Sequence, residues 1–118
     1  MKTAELTGAA LDWAVMQCEY PRNSEELFFS CHDMGGFYYS GNWGMSGLII
    51  EREKIKVSPN MGGTWSAQIR HTESHPLVSH PVLAGWTNAS GDTPLIAAMR
   101  CYVASKLGDN VDIPEGLA

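Results

Sequence analysis

Residues 92–108, Asp-Thr-Pro-Leu-Ile-Ala-Ala-Met-Arg-Cys-Tyr-Val-Ala-Ser-Lys-Leu-Gly, carry every local mark of one complete helix. The Thr93 hydroxyl can accept from an orphan amide of the first turn, and Pro94 suits the first helical position, where a missing N–H costs nothing. Leu95, Met99, Tyr102, Val103 and Leu107 form one apolar stripe. Lys106 lies near the negative end of the dipole, and Gly108 supplies a left-handed stop. A helix is therefore expected over 93–107, with its stripe against another layer of structure.

The rest of the chain has to provide that layer. At 118 residues, 44% of them hydrophobic, it is long enough for one core without cross-links and reads as a single domain over 1–118. The net charge of −5 argues against nonspecific coating of nucleic acid, which needs a basic face to displace counterions. No stretch approaches the roughly 18 apolar residues of a membrane span. Lys2 is followed by no apolar signal core, so no export signal is expected. Cys18, Cys31 and Cys101 are widely spaced and odd in number, which suits reduced, mostly buried thiols.

A first helix is expected over 7–19. Leu6 and Leu11 have hydrophobic-staple spacing, and Leu11, Ala14, Val15 and Cys18 share a face, so the helix should pack on a sheet. Tyr20-Pro21 ends it. Residues 27–31 and 37–39 read as short strands around turn chemistry at 33–36. Ser46 can cap a short central helix through Lys54; the rival is a strand from Ile50 to Val57. Ile55 and Val57 alternate with Lys54 and Lys56, and Trp65, Ala67 and Ile69 alternate with polar neighbours, predicting a hairpin over 55–70. The polar connection 71–91, with Pro76 and Pro81, hides one candidate strand at Val82 to Trp86. Val111 and Ile113 should dock the tail. The fold class is α+β: an antiparallel sheet of three to five strands packed by two main helices, N-terminal and C-terminal, plus a short central helix. Leu11, Val15, Ile49, Trp65, Ile69, Leu95, Met99 and Val103 should be core.

Few residues point to catalysis. His71, His75 and His80 are spaced by four and five, but the prolines oppose the helix that would let two share a metal; solvated loop histidines are the better reading. Cys31 adjoins His32, yet neighbouring strand residues point to opposite faces, so no thiol nucleophile is assigned. Glu51 and Glu53 bracket Arg52 beside lysines, which suits a solvated charged face. No phosphate loop or dinucleotide fingerprint is present, and no cofactor or metal is expected. One group stands apart: Tyr39 and Trp43 can stack on a flat ligand, Arg52 and Arg100 can grip phosphate, and Thr93 marks a helix N-terminus whose amides attract anions. The bland alternative makes Trp43 a core anchor and Arg100 a surface ion-pair former.

Three blocks of the chain carry a resemblance. The run TPLIAAMRCYVASKLGD, the opening Glu5-Leu6-Thr7-Gly8-Ala9-Ala10-Leu11-Asp12-Trp13-Ala14-Val15, and the element from Tyr39-Ser40 through Trp43 to Gly47-Leu48-Ile49-Ile50-Glu51-Arg52-Glu53 resemble, in order, the signatures of the NinX-like phage proteins, a family of unknown function. That family commonly has proline where Leu48 stands. The resemblance implies a phage or prophage product made in the bacterial host cytoplasm, and no reaction. Two expectations follow. The first is a non-enzymatic accessory protein that binds a host protein or a small anionic host molecule, such as a signalling nucleotide in counter-defence, with homo-oligomerisation open. The second is a small metal-dependent hydrolase or nuclease-like enzyme of phage DNA metabolism, which needs a converging carboxylate or histidine cluster.

Overall fold

The computed structural model describes residues 1–20, 38–73, 77, 82–114 and 116–117. The helix marked most fully in the sequence, which becomes α3 in chain order, forms over Pro94–Leu107. Thr93 Oγ1 accepts from the Ile96 amide at 3.1 Å. Pro94 stands at the start, and Gly108 ends the helix at φ 87°, in the region that favours glycine. Its apolar surface is wider than a stripe. Ala97, Ala98 and Cys101 are buried along with Leu95, Met99, Tyr102 and Val103, whereas Leu107 is exposed.

The extra burial has a topological reason. A 3-10 turn at Thr3–Glu5 leads into α1 (Gly8–Glu19), followed by α2 (Trp43–Glu53), β1 (Lys56–Pro59), β2 (Trp65–Glu73), β3 (Val82–Gly91) and α3. Among the described residues, every substantial contact between elements involves α3, apart from the strand pairings of the sheet. It touches all three strands, both other helices and the 3-10 turn. A helix covered on several sides needs small residues where neighbours come closest, and Ala97 and Ala98 supply them. The N-terminal helix, expected on the sheet, instead packs chiefly on α3.

The sheet is antiparallel in the order β1-β2-β3. The expected hairpin pairs Lys56 with Gln68 and Pro59 with Trp65, and Asn60 N–H closes its turn on Thr64 O at 2.8 Å. Ile55, Ala67 and Ile69 face the core, as strand alternation requires. β2 runs past the expected end to Glu73, and the hidden strand continues through Gly91. Their register shifts between His71 and Thr72, beside Gly85 at φ 135°, which is β-bulge geometry.

Three local expectations need correction. Residues Tyr38 and Tyr39 are not in a strand, and Tyr39 lies in a turn. The central helix starts at Trp43, capped by Asn42, whose side chain accepts from Met45 N–H; Ser46 is a buried residue within it. Trp65 is only half-buried against the core, while the other seven expected core residues are buried. The predicted strand at 27–31, Cys31, His32, His75 and His80 lie outside the described residues. The two ends of the chain meet: Val111 N–H donates to Met1 O at 2.9 Å and Thr3 N–H to Asp109 O at 2.8 Å. Val111 is buried and Ile113 packs against the core, so the tail docks as expected.

Candidate functional site

The turn before α2 is tied down from two sides. Buried Asp12, on α1, accepts from Ser40 N–H at 2.8 Å, and the Ser46 hydroxyl donates to Tyr39 O. These bonds place Tyr39 beside the end of α1. A cavity of about 270 Å³ opens there between α1 and α2, lined on one side by Glu19, Tyr20 and Tyr39, and on the other by Met45, Leu48 and Arg52. Leu48 is 67% exposed. Burial, followed by the charges of Tyr20, Glu19 and Asp12, pushes the Tyr39 hydroxyl up to about 12, so it is a neutral donor at ordinary pH.

Arg52 does not stand alone in this cleft. Its Nη1 donates to Glu19 Oε1 at 3.0 Å and its Nη2 to Glu19 Oε2 at 2.7 Å, a bidentate pair. Nη2 also donates to the Tyr102 hydroxyl at 3.1 Å, and Nε to Glu53 Oε2 at 3.2 Å. Tyr102 in turn donates to Glu19 Oε2 at 2.6 Å, and Lys106 pairs with Glu53 at 3.2 Å. The Arg52 guanidinium lies 5.7 Å from the Tyr102 ring centre. Burial alone would raise the Glu19 carboxyl, but the hydrogen bonds from Arg52 and Tyr102 outweigh it and hold it below the usual value. A carboxylate in the last turn of a helix faces the negative end of the dipole. That unfavourable position is a sign, legible in the sequence, that Glu19 needs a cation.

The five residues singled out in the sequence fall into different places. Tyr39 and Arg52 share the cleft. Trp43 is 57% exposed at the first turn of α2, about two and a half turns from Arg52, so the two leave the helix on opposite sides. Thr93 is the α3 cap. Arg100 is a structural strap, its Nε donating to Leu6 O at 2.8 Å and its Nη1 to Ser90 O at 2.9 Å. Its guanidinium ties the segment before α1 and the end of β3 to α3 with two of its five N–H groups.

Thiol chemistry finds no support among the described residues. Burial, with the Glu19 charge adding to it, pushes Cys18 up to about 12, and burial pushes Cys101 up to about 11; the reactive thiolate is therefore scarce at either. The His71 ring is hydrogen-bonded to the Thr87 hydroxyl. Among the described residues no three His, Cys, Asp or Glu side chains are grouped to hold a metal ion, and no helix is long and apolar enough to cross a membrane.

No curated protein matches the chain. The profile of the family described as Bacteriophage P22, NinX matches residues 2–106, a span that holds, among the described residues, α1, α2, the three strands, the cleft between α1 and α2, and all of α3 but Leu107. The matched span holds, in chain order, the first two blocks of resemblance and most of the third, and on that match the chain belongs to the NinX family of phage proteins.

Proposed function

We propose that this NinX-family chain is a non-enzymatic phage accessory protein that acts in the host cytoplasm by binding a host protein through the α1–α2 cleft. The observation that carries the reading is Leu48. An apolar side chain two-thirds exposed in mid-helix, at the lip of a cavity that also holds Tyr39 and Met45, is poorly placed for stability and well placed for a contact. Tyrosine and arginine beside it are the residue types that dominate protein interfaces.

The chemistry of Arg52 favours a protein over a small anion. Its charge is already met by two carboxylates, so a free phosphate would have to displace Glu19. Four of its five N–H groups are used in hydrogen bonds. The remaining one suits a neutral acceptor, such as a main-chain carbonyl of a segment whose apolar side chain enters the cleft.

The test is retention of a host protein by immobilised wild-type chain and by Leu48→Asp, followed by titration of the purified partner. The expected result is a stoichiometric partner whose affinity falls about tenfold or more in Leu48→Asp while circular dichroism is unchanged. A partner held equally by both would remove the cleft from the interface. Nucleotide binding lost in Arg52→Ala would replace the protein by a small anionic ligand. Hydrolysis of DNA or nucleotide abolished by chelator would replace binding by metal-dependent catalysis.

A further inference from the structure

The sheet has a face turned away from α3, and it is not bland. With Ile55, Ala67 and Ile69 buried toward the core, strand alternation turns Lys56, Gln68 and Arg70 outward. Gln68 Nε2 donates to Asn88 Oδ1 at 2.7 Å across this outer face. Two residues along the ladder Arg70 pairs directly with Trp86, which is 47% exposed. Beside this pair is a cavity of about 250 Å³ lined by Glu53, Lys54, Lys56, Arg70 and Trp86.

Three of the eight lysines and arginines in a chain of net charge −5 therefore line one cavity. Among the described residues none of the three has an ion-pair partner or a side-chain hydrogen bond. The one carboxylate in the lining, Glu53, is already engaged by Arg52 and Lys106, both at 3.2 Å. Lys54 reaches the cavity from a left-handed backbone, φ 55°, at the end of α2. Glycine or asparagine would occupy that conformation with less strain. That conformation ends the helix, with Lys54 N–H donating to Glu51 O at 3.4 Å and Ile55 N–H to Ile50 O at 3.0 Å. The three positive side chains, gathered with no ion pair of their own, do nothing for the fold and suit an anion.

We propose that this cavity binds a nucleoside phosphate, with the phosphates on Lys54, Lys56 and Arg70 and the base on Trp86. Arg70 supplies a planar fork for phosphate oxygens, and the two lysines supply compact charges. A half-exposed indole at the rim offers a stacking surface tolerant of base identity. The ligand is a nucleotide rather than a nucleic-acid strand, because three cations on an acidic protein provide no continuous track for a phosphate backbone. The site is separate from the α1–α2 cleft and does not depend on the partner proposed there.

Calorimetric titration of the full chain with ADP, GDP, CDP and UDP at low salt tests it. Pyrophosphate, adenosine and an oligothymidylate serve as controls. At least one diphosphate should bind with a Kd below about 1 mM, weakened about tenfold or more in Arg70→Gln and in Lys56→Gln. Trp86→Leu should weaken the nucleotide but not pyrophosphate, and adenosine alone should give no signal. Circular dichroism confirms that the variants, all at exposed positions, are folded. The inference is overturned if none of the four diphosphates binds, if binding survives Arg70→Gln and Lys56→Gln, or if the oligothymidylate binds more tightly than every mononucleotide.

Discussion

Gly91, the last residue of β3, shows how one missing atom sets the distance between the sheet and α3. A Cβ there would lie 2.7 Å from Ile96 Cγ2 and 2.8 Å from the Ala97 amide nitrogen. The first contact could relax by moving a side chain; the second is with the backbone of a helix packed on several sides. Gly91→Ala should therefore destabilise the protein by about 1–3 kcal/mol through overpacking, measured as a lower urea midpoint with unchanged slope. A neutral result would mean that β3 and α3 are further apart than described. Nothing local in Ala-Ser-Gly-Asp announces this role. The sequence reads as a turn before a helix, and only the approach of Ile96 and Ala97 makes the glycine necessary.

At the scale of elements, α1, α2 and α3 are joined by one polar network: Glu19 from the first, Arg52 and Glu53 from the second, Tyr102 and Lys106 from the third. The Glu19 carboxyl is lowered on folding. In the range between its folded and unfolded pKa values the unfolded chain binds more protons, so stability rises with pH there. The contribution is present above the ordinary glutamate range and is lost as pH falls through the folded value. Glu19→Gln should therefore be less stable than wild type at neutral pH. The difference should shrink as pH drops below the ordinary glutamate value, about 4.3. Melting temperatures of both proteins across that range check it, and a constant difference would mean that Glu19 is not ionised in the network.

Element boundaries show where local reading stops. The limits of α3 are legible because Thr93, Pro94 and Gly108 act on their own turn of backbone. The start of α2 is ambiguous because Asn42 and Ser46 are both capping residues. Asn42 takes the cap, while the Ser46 hydroxyl is drawn to the Tyr39 carbonyl, a bond to the preceding turn that propensity does not encode. β3 is half legible for a similar reason. Val82 to Trp86 has strand character, whereas Thr-Asn-Ala-Ser-Gly has little. The strand continues through that stretch because β2 pairs with it as far as Trp65↔Gly91.

Across the whole molecule α3 is the element on which the others depend, since the sheet, α1, α2 and the N-terminal turn all rest on it. Met99, fully buried in its middle, has no exposed side toward which a vacancy could collapse. Met99→Ala should cost about 2–5 kcal/mol, and amide exchange of the slowest protons in β2, α1 and α3 should accelerate together. Acceleration confined to one element would mean that the molecule opens in parts and that α3 is not its common support.

The family relationship and the class of fold lie within reach of the one-dimensional sequence, because capping, hydrophobic period and ordered signature blocks are properties of neighbouring residues. So are the helix at 94–107, the hairpin and most of the core. The candidate site is a different matter. Tyr39 and Arg52 come together in the cleft, Trp43 leaves the same helix on the other side, and Thr93 and Arg100 are occupied in capping and strapping the chain. The gathering of Lys54, Lys56, Arg70 and Trp86 around one cavity is likewise invisible in sequence. An aromatic or a cation has the same local signature whether it packs, pairs or faces solvent. Which of these it does depends on strand register and helix packing, and those are settled only when residues distant in the chain compete for the same space.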